Sequence, residues 1–381
     1  MPDTTRSAPP SAAAAAGESP LRAGGRTTSP YLHVGSDRIY NPLDDRSLRE
    51  EEPEYSLVKG LIDGEVNPAE LSAESIAAVE NLGPTWLPEP QEDLSRSYFL
   101  RYVSLEAHTV CNQACYFCPV SIAPREDHFM PTELYERIVG ELSAYRDTIE
   151  GVAMINYNEP TLDKRFVDQV RTLREAGLPP AVLTNGTGLT RKRVDAIIEM
   201  GGLHYLSINL STLDRGKYTS DRAGDHLAAV LQNVDYMADK PVAQTMEVVV
   251  LGTDDDRHRS DYEEIRERFR GSRFDVKTYE VMDRAGLLQI GQKPADPHQQ
   301  LCGCQNLGSR PLQHLHITPH AKVVLCCEDY DEKYIVGDLN EESVEDVLTG
   351  DRLALLRRWV YGVEEAPEDF ICRKCIYART R

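Results

Sequence analysis

Two kinds of hydrophobic pattern alternate along the middle of the chain, from residue 98 to residue 291. Short apolar runs rich in Val, Ile, Leu and Tyr are typical of buried strands, and longer segments with apolar side chains every three or four positions are typical of amphipathic helices. The predicted strands are 99–107, 150–160, 180–186, 203–211, 243–252 and 274–282. The predicted helices between them are 131–145, 164–177, 191–201, 226–239 and 261–271.

This alternation predicts an α/β fold. Strands that alternate with helices pair in parallel, because each helix carries the chain back across the sheet. About six such units predict a partial (β/α)6 barrel of the TIM type, and a flat doubly wound sheet is the alternative. In either arrangement, we expect the functional residues at the carboxyl ends of the strands.

Two regions precede this α/β unit. Residues 1–30 are mainly Ala, Ser, Pro, Gly and Arg, so they bury little apolar surface and predict a disordered tail. An organellar transit peptide is a weaker alternative, because Asp3 and Glu18 depart from its acid-poor composition. Residues 31–97 predict a small N-terminal cap of unknown role, which either packs against the chain or binds a peptide. Its predicted strands are 31–34 and 37–43, and its predicted helices are 54–64 and 73–83.

A compact α+β module follows the α/β unit, over residues 301–381. Its pattern predicts a hairpin of two strands, a third strand or turn, one helix and a short final segment. These elements are placed at 312–318, 322–330, 335–340, 343–362 and 370–378.

The charge of the chain indicates which classes of partner it can bind. It has 62 acidic and 42 basic side chains, for a formal charge of −20. This charge disfavours nucleic acids and anionic membranes and suits a cationic small molecule. No apolar run approaches the roughly 20 residues that span a bilayer, and no secretory signal pattern is present, so we expect a cytoplasmic protein.

The nine cysteines fall into two groups. Cys111, Cys115 and Cys118 follow the first predicted strand of the α/β unit. The other six lie in the C-terminal module, at Cys302, Cys304, Cys326, Cys327, Cys372 and Cys375. In a cytoplasmic chain, clusters of this kind are more often metal ligands than disulfides, so we predict two separate metal sites.

The first group favours an iron-sulfur cluster. Zinc is the competing metal, because three thiolates and His108 could form a Cys3His site. However, zinc ligands usually come as pairs from two hairpins, whereas these three thiols lie four and three residues apart in one loop. Three cysteines would leave one iron of a cubane cluster open to another ligand.

Cys111, Cys115, Phe117 and Cys118 together resemble the signature of the radical S-adenosylmethionine (SAM) superfamily, and the resemblance covers roughly residues 98 to 375. It implies a [4Fe-4S] cluster whose open iron binds SAM, and an electron from a flavodoxin- or ferredoxin-type donor. Cleavage of SAM would then give a 5'-deoxyadenosyl radical that removes hydrogen from a substrate.

The same resemblance implies a SAM-binding role for residues after the later strands. Asn158, Glu159 and Pro160 stand where the family has a Gly-Gly-Glu-Pro segment that holds the methionine ammonium, with Asn158 in place of a glycine. The expected ribose or carboxylate contacts are Thr184, Asn185, Ser207, Asn209 and Ser211.

The C-terminal cysteines resemble those of the SPASM module, or of its shorter Twitch form. This resemblance implies an auxiliary [4Fe-4S] cluster, and a structural zinc is the alternative. The implied ligands are Cys304, Cys326, Cys372 and Cys375. Cys302 and Cys327 compete with Cys304 and Cys326, and alternation along a strand would let only one of Cys326 and Cys327 face the metal.

An auxiliary cluster beside the barrel mouth could accept an electron from the substrate, which favours a two-electron oxidation of an alcohol. The oxidation requires a base, for which Asp283 is the candidate and Glu328 and Asp329 are alternatives. The resemblance implies two substrate classes: an aminocyclitol or sugar of an antibiotic pathway, which we favour, or a ribosomally made peptide. Radical decarboxylation or epimerisation and a non-enzymatic zinc-stapled binding protein are further alternatives.

Overall fold

The computed structural model describes residues 28–67, 70–89 and 91–380, and the chain divides into two compact units. The first unit comprises Met1–Asn41 and Arg46–Leu94, and the second comprises Pro42–Asp45 and Ser95–Arg381. Most of the predicted tail, residues 1–27, lies outside the described residues. In the described parts of the chain, every helix is too short or too polar to cross a membrane.

The first unit is a three-stranded antiparallel sheet with two helices. Its elements are β1 (His33–Val34), β2 (Arg38–Asn41), β3 (Arg46–Arg49), α1 (Pro53–Asp63) and α2 (Ala73–Glu80). Ile39, Val58 and Trp86 are buried in its core. The two predicted strands and both predicted helices are confirmed, whereas β3 was not predicted because Leu48 is its one apolar residue.

Six parallel strands form the centre of the second unit. They are β4 (Tyr102–Leu105), β5 (Gly151–Ala153), β6 (Pro180–Thr184), β7 (Leu203–Asn209), β8 (Ala243–Gly252) and β9 (Asp275–Glu280). Each strand lies within its predicted segment, and the predicted α/β fold with six parallel strands is confirmed. Because the strands are parallel, their carboxyl ends meet at one edge, where the cysteine loop follows β4.

Helices connect these strands. They are α3 (Thr132–Leu142), α4 (Phe166–Glu175), α5 (Arg191–Glu199), α6 (Arg215–Arg222), α7 (Leu227–Met237) and α8 (Asp256–Arg268). Only α6 was not predicted, because Tyr218 is its one large apolar side chain. An N-cap defines where this helix begins instead, because the Asp214 carboxylate accepts a hydrogen bond of 2.8 Å from the Lys217 amide.

The C-terminal module extends the same sheet. Its elements are β10 (Leu301–Cys304), α9 (Arg310–Gln313), β11 (His314–Ile317), β12 (Lys322–Val324), β13 (Ile335–Asp338), α10 (Val344–Thr349), α11 (Asp351–Val360) and β14 (Ala378–Thr380). β11 pairs in parallel with β4, and β12 and β13 continue the sheet outward. β10 and β14 form a separate antiparallel pair. The boundary predicted between the α/β unit and the C-terminal module therefore falls within one continuous sheet. The domain boundaries stay a prediction.

Two predictions for this module were wrong in detail. The single helix predicted at 343–362 is two helices, because Gly350 has the extended ψ of 151° and ends α10. The strand predicted at 322–330 ends at Val324, where the chain turns into a polar segment. Cys326 and Cys327 consequently lie in a turn, and strand alternation does not govern which way they face.

Candidate active site

The loop that carries Cys111, Cys115 and Cys118 is held by the carboxyl end of α6. The amide of Ala114 donates to the carbonyl of Arg222 at 3.0 Å, and the amide of Tyr116 donates to that of Asp221 at 3.0 Å. A tight turn closes the loop, because the Cys118 amide donates to the Cys115 carbonyl at 2.9 Å. The loop backbone is therefore fixed without any metal ligand.

Arg222 is the side chain that ties this loop to β7. It is 2% exposed, and it donates to Gln113 Oε1 at 3.1 Å and lies 3.8 Å from Cys115 Sγ. Its other nitrogen donates to Asn209 Oδ1 and to Ser211 Oγ, the latter at 3.3 Å. Asn209 and Ser211, predicted as SAM contacts, thus position a guanidinium at the cysteine loop. Sequence reasoning missed Arg222 because it missed α6.

The three loop thiols lie close enough to repel one another as anions. Burial is the main cause that raises the pKa of Cys111 to about 12 and that of Cys115 to about 11, and mutual repulsion adds to both. The pKa of Cys118 is also raised, chiefly by burial. Thiols of this kind stay protonated until a cation displaces the protons, so cluster binding would release protons here.

A cubane cluster fits this spacing. Among the described residues, no three His, Cys, Asp or Glu side chains are grouped so that they could hold a single metal ion. A cubane does not need such a group, because each thiolate binds a different iron. His108, the fourth ligand of the zinc alternative, stacks on Phe129 with ring centroids 5.2 Å apart and accepts from the Val110 amide at 3.1 Å.

Glu159 braces the ends of two neighbouring strands. Its buried carboxylate accepts hydrogen bonds from the Thr161 amide at 3.1 Å, the Thr184 hydroxyl at 2.6 Å and the Asn185 amide at 2.7 Å. Burial raises its pKa, and these hydrogen bonds oppose the rise. Glu159 also meets the cysteine loop, since its amide donates to the Val110 carbonyl at 2.9 Å.

The side-chain amide of Asn158 has one buried end without a hydrogen-bond partner in the described residues. Its other end lies 3.4 Å from His108 Nε2, which carries the ring proton because Nδ1 accepts from the Val110 amide. An unsatisfied buried polar group is costly, and a hydrogen-bonding group of SAM would satisfy it. The asparagine that departs from the family's glycine therefore fits a bound SAM at this place.

The remaining predicted contacts have varied surroundings. Asn185 Nδ2 donates to Asn112 Oδ1 at 2.8 Å, which connects the end of β6 to the cysteine loop. The Arg222 guanidinium lies over the Phe117 ring, with its central carbon 5.6 Å from the ring centre. Pro160 opens a short turn after Glu159, and Ser207 is buried within β7. The structure thus gathers most of the predicted set around the loop.

A cavity in the C-terminal module has four cysteines on its wall, and we call it the four-cysteine cavity. They are the four predicted ligands, Cys304, Cys326, Cys372 and Cys375. Burial is the first cause that raises the pKa of Cys304, and it raises that of Cys375 to about 12. Backbone amides approach the sulfurs: that of Glu328 lies 3.3 Å from Cys326 Sγ, and that of Tyr377 lies 3.4 Å from Cys375 Sγ. Amide groups at sulfur are typical of iron-sulfur sites.

Cys302 and Cys327, the two rival ligands, do not belong to this wall. A register shift between Leu301 and Gly303 disrupts β10 where Cys302 stands. Cys327 lines a second cavity, of about 550 Å³, on the inner side of the parallel strands. We call this second space the barrel cavity.

The barrel cavity combines apolar walls with hydrogen-bonding groups. Its polar residues include Tyr102, Ser104, Glu150, Asn156, Tyr157, His204, Tyr205, Arg284, Arg310 and His314. Three of their atoms are buried without a partner: Asn156 Oδ1, His314 Nδ1 and Arg310 Nε. A volume of this size and mixed lining is typical of small-molecule sites.

The candidate bases lie in two segments, Asp283 after β9 and Glu328 and Asp329 after β12, and Glu328 lines the four-cysteine cavity. Asp283 is 4% exposed and is not on the described wall of the barrel cavity. Burial raises its pKa, the Gly286 amide opposes the rise, and the nearby Glu328 adds to it. Glu328 pairs with Arg284 at 3.2 Å, and Asp329 accepts two backbone amides of its own turn.

Comparisons with known proteins agree with this layout. Residues 105–267 match the family model of the radical SAM superfamily, and residues 304–376 match the model of the iron-sulfur cluster-binding domain called SPASM. Together the two matches cover more than half of the chain.

Individual relatives are distant. The S-adenosyl-L-methionine-dependent 2-deoxy-scyllo-inosamine dehydrogenase of Niallia circulans is 22% identical over 277 residues, 72% of this chain and 91% of that protein. The probable GTP 3',8-cyclase of Pyrococcus abyssi is 32% identical over 148 residues, 38% of this chain and 46% of that protein. Among solved structures, Streptococcus suis SuiB bound to the precursor peptide SuiA has a TM-score of 0.55 at 13% identity, over 87% of this chain and 90% of that chain.

The unsatisfied end of the Asn158 amide makes a prediction about SAM affinity. Asn158→Leu should raise the Kd for SAM about tenfold, the worth of one good hydrogen bond to a charged group. Equilibrium binding to anaerobically reconstituted protein measures the change. An unchanged Kd in the leucine variant, with its iron content intact, would contradict this role.

The neighbouring residues Cys326 and Cys327 line different cavities, so their substitution should affect the iron content differently. Two [4Fe-4S] clusters give about eight irons per chain, and Cys326→Ala should lower this to about four. Cys327→Ala and the matched control Cys302→Ala should keep the full iron content, because neither side chain lines the four-cysteine cavity. Iron and sulfide analysis after reconstitution measures the difference. Loss of iron from Cys327→Ala but not from Cys326→Ala would reverse the assignment.

Proposed function

We propose that this chain, which belongs to the radical SAM superfamily and carries a SPASM module, removes two hydrogens from a secondary alcohol of an aminocyclitol or sugar. As a radical SAM enzyme it binds a [4Fe-4S] cluster and SAM, and the SPASM module binds auxiliary iron-sulfur. The observation that carries the proposal is a barrel cavity with buried, unpartnered hydrogen-bonding atoms that shares a wall residue, Arg310, with the four-cysteine cavity.

The protein's part is to hold and orient the reactants. Cys111, Cys115 and Cys118 would hold the first cluster, and the side-chain amide of Asn158 would hydrogen-bond to the methionine part of SAM. When bound, the first cluster and SAM supply a 5'-deoxyadenosyl radical that takes one hydrogen atom, and the auxiliary cluster supplies an acceptor for one electron. The buried Arg222 holds the loop against β7, which keeps this geometry fixed.

The lining of the barrel cavity suits a polar ring. Asn156 Oδ1 and His314 Nδ1 need hydrogen-bond partners, which the hydroxyl groups of a sugar or cyclitol provide. Glu150 lies on the same wall, where its carboxylate accepts from the Tyr102 hydroxyl at 2.7 Å. The same carboxylate is paired with Arg101 at 2.7 Å, so its charge is already balanced within the protein. The inosamine dehydrogenase of Niallia circulans, similar over most of its length, is named for an oxidation of this class.

The alcohol proton must leave to a protein group. We propose Asp283 for this role, supported by its position after β9 and by a pKa raised mainly by burial. Glu328 is the competing base, and its carboxylate is engaged in an ion pair with Arg284.

A peptide is the second candidate substrate. SuiB, whose solved structure holds a precursor peptide, is similar in fold over 87% of this chain. At 13% identity the similarity concerns the fold alone. The two candidates differ in what should stimulate SAM cleavage.

The substrate class is tested by anaerobic reconstitution with SAM and dithionite. Aminocyclitols or amino sugars with a secondary alcohol should raise the yield of 5'-deoxyadenosine and lose two hydrogens. A substrate deuterated at the alcohol carbon should transfer deuterium to 5'-deoxyadenosine, because that carbon gives up the hydrogen atom. Cys111→Ala is the control and should yield no 5'-deoxyadenosine. Stimulation by peptides alone would contradict the proposal and favour the second candidate.

The proposed base predicts uncoupling rather than loss of SAM cleavage. Asp283→Asn should lower ketone formation about a hundredfold, a typical worth of a general base, while 5'-deoxyadenosine still forms. In the parent, ketone formation should fall as the pH drops through the raised pKa of Asp283, because a protonated carboxyl accepts no proton. Asp239→Asn, at an exposed position, is the matched control. Normal ketone formation in Asp283→Asn, with loss in Glu328→Gln, would assign the role to Glu328.

A further inference from the structure

Arg310 occupies a singular place in the molecule. Within the described residues, it is the only side chain that lines both the four-cysteine cavity and the barrel cavity. It is the first residue of α9, which leads directly into β11.

The charge of Arg310 has no carboxylate partner in the described parts of the chain. Its Nη1 donates to Cys327 Sγ at 2.8 Å and lies 3.5 Å from His316 Nε2, and its Nε is buried without a partner. The nearby Glu328 makes its ion pair with Arg284 instead. The half-buried guanidinium is in contact with the Cys327 thiol but with no carboxylate, so its charge favours negative charge in the adjoining space.

A four-thiolate cluster in the four-cysteine cavity would supply that charge. Such a cluster is negative in both of its redox states and becomes more negative when it takes up an electron. A fixed cation at the cavity wall attracts the reduced state more strongly than the oxidised state, and a low local dielectric strengthens the difference. Net charge and hydrogen bonds near the sulfurs are known determinants of cluster potential.

We propose that Arg310 raises the reduction potential of the auxiliary cluster and thereby makes it an electron acceptor for whatever is oxidised in the barrel cavity. Arg310 acts through its fixed charge and is therefore a positioning residue. The purpose assigned to this higher potential rests on the proposed oxidation. The effect on the potential itself does not, because it depends only on the charge and on its place beside the cavity.

The test is a redox titration of reconstituted protein without SAM or substrate, with the reduced clusters followed by electron paramagnetic resonance. Arg310→Met keeps the length of the side chain and removes its charge, so the auxiliary midpoint should move to a more negative potential. A tenfold loss in the equilibrium for electron uptake corresponds to about 59 mV for a one-electron couple. Arg310→Lys keeps the charge and should stay close to the parent. Arg352→Met, at an exposed position of α11, is the matched control and should leave the midpoint unchanged.

Each alternative outcome decides the question. An unchanged midpoint in Arg310→Met would overturn the proposal, and so would a shift of equal size in Arg310→Lys or in Cys327→Ala. If the methionine variant does not retain the auxiliary irons, Arg310→Gln, which keeps a hydrogen-bond donor but no charge, carries the same test. A shifted midpoint in an enzyme that oxidises no alcohol would support the role of Arg310 and contradict the proposed function alone.

Discussion

The parallel pairing of β11 with β4 is the constraint on which the candidate site depends. The register joins His314 to Tyr102 and Ile317 to Leu105, so the C-terminal module is built onto the strand that leads into the cysteine loop. Hydrogen bonds reinforce this proximity, since the Tyr157 hydroxyl donates to the Cys327 carbonyl and the Tyr330 hydroxyl donates to the carbonyl of Ala123, just after the cysteine loop. One strand pairing thus joins the strand that leads into the cysteine loop to the module that carries the other six cysteines.

Two arginines, the buried Arg222 and the half-buried Arg310, then place positive charge at the two cysteine sites of an acidic chain. Arg222 approaches Cys115 and Arg310 approaches Cys327, and among the described residues neither has a carboxylate partner. By contrast, the guanidinium of Arg284, which also faces the barrel cavity, is paired with a carboxylate. A guanidinium beside a thiol is stabilised further when that thiol is deprotonated or binds an anionic cluster. The net charge of −20 therefore conceals local positive charge where iron-sulfur chemistry needs it.

The features that could be predicted from the sequence are those whose signal is local. The six parallel strands have strong apolar runs, and the spacing of Cys111, Cys115 and Cys118 lies within one loop, so both could be predicted. α6 could not, because a polar helix with one large apolar residue is defined by its cap and its neighbours. The roles of Arg222 and Arg310 depend on contacts over long sequence distances, which no local pattern encodes. The turn at Cys326 was missed because the thiol-rich run has the pattern of a continuing strand.

The segment at Asn158 and Glu159 shows how geometry can redistribute roles within a motif. Resemblance assigns the methionine ammonium to Glu159, yet this carboxylate accepts from Thr161, Thr184 and Asn185 and is occupied as a brace between β5 and β6. Asn158 instead carries the unpartnered hydrogen-bonding group. The glycine of the family offers only backbone at this position, whereas a side-chain amide can reach a ligand. We infer that the substitution moves part of the ligand contact by one residue and leaves the glutamate to fix the strand ends.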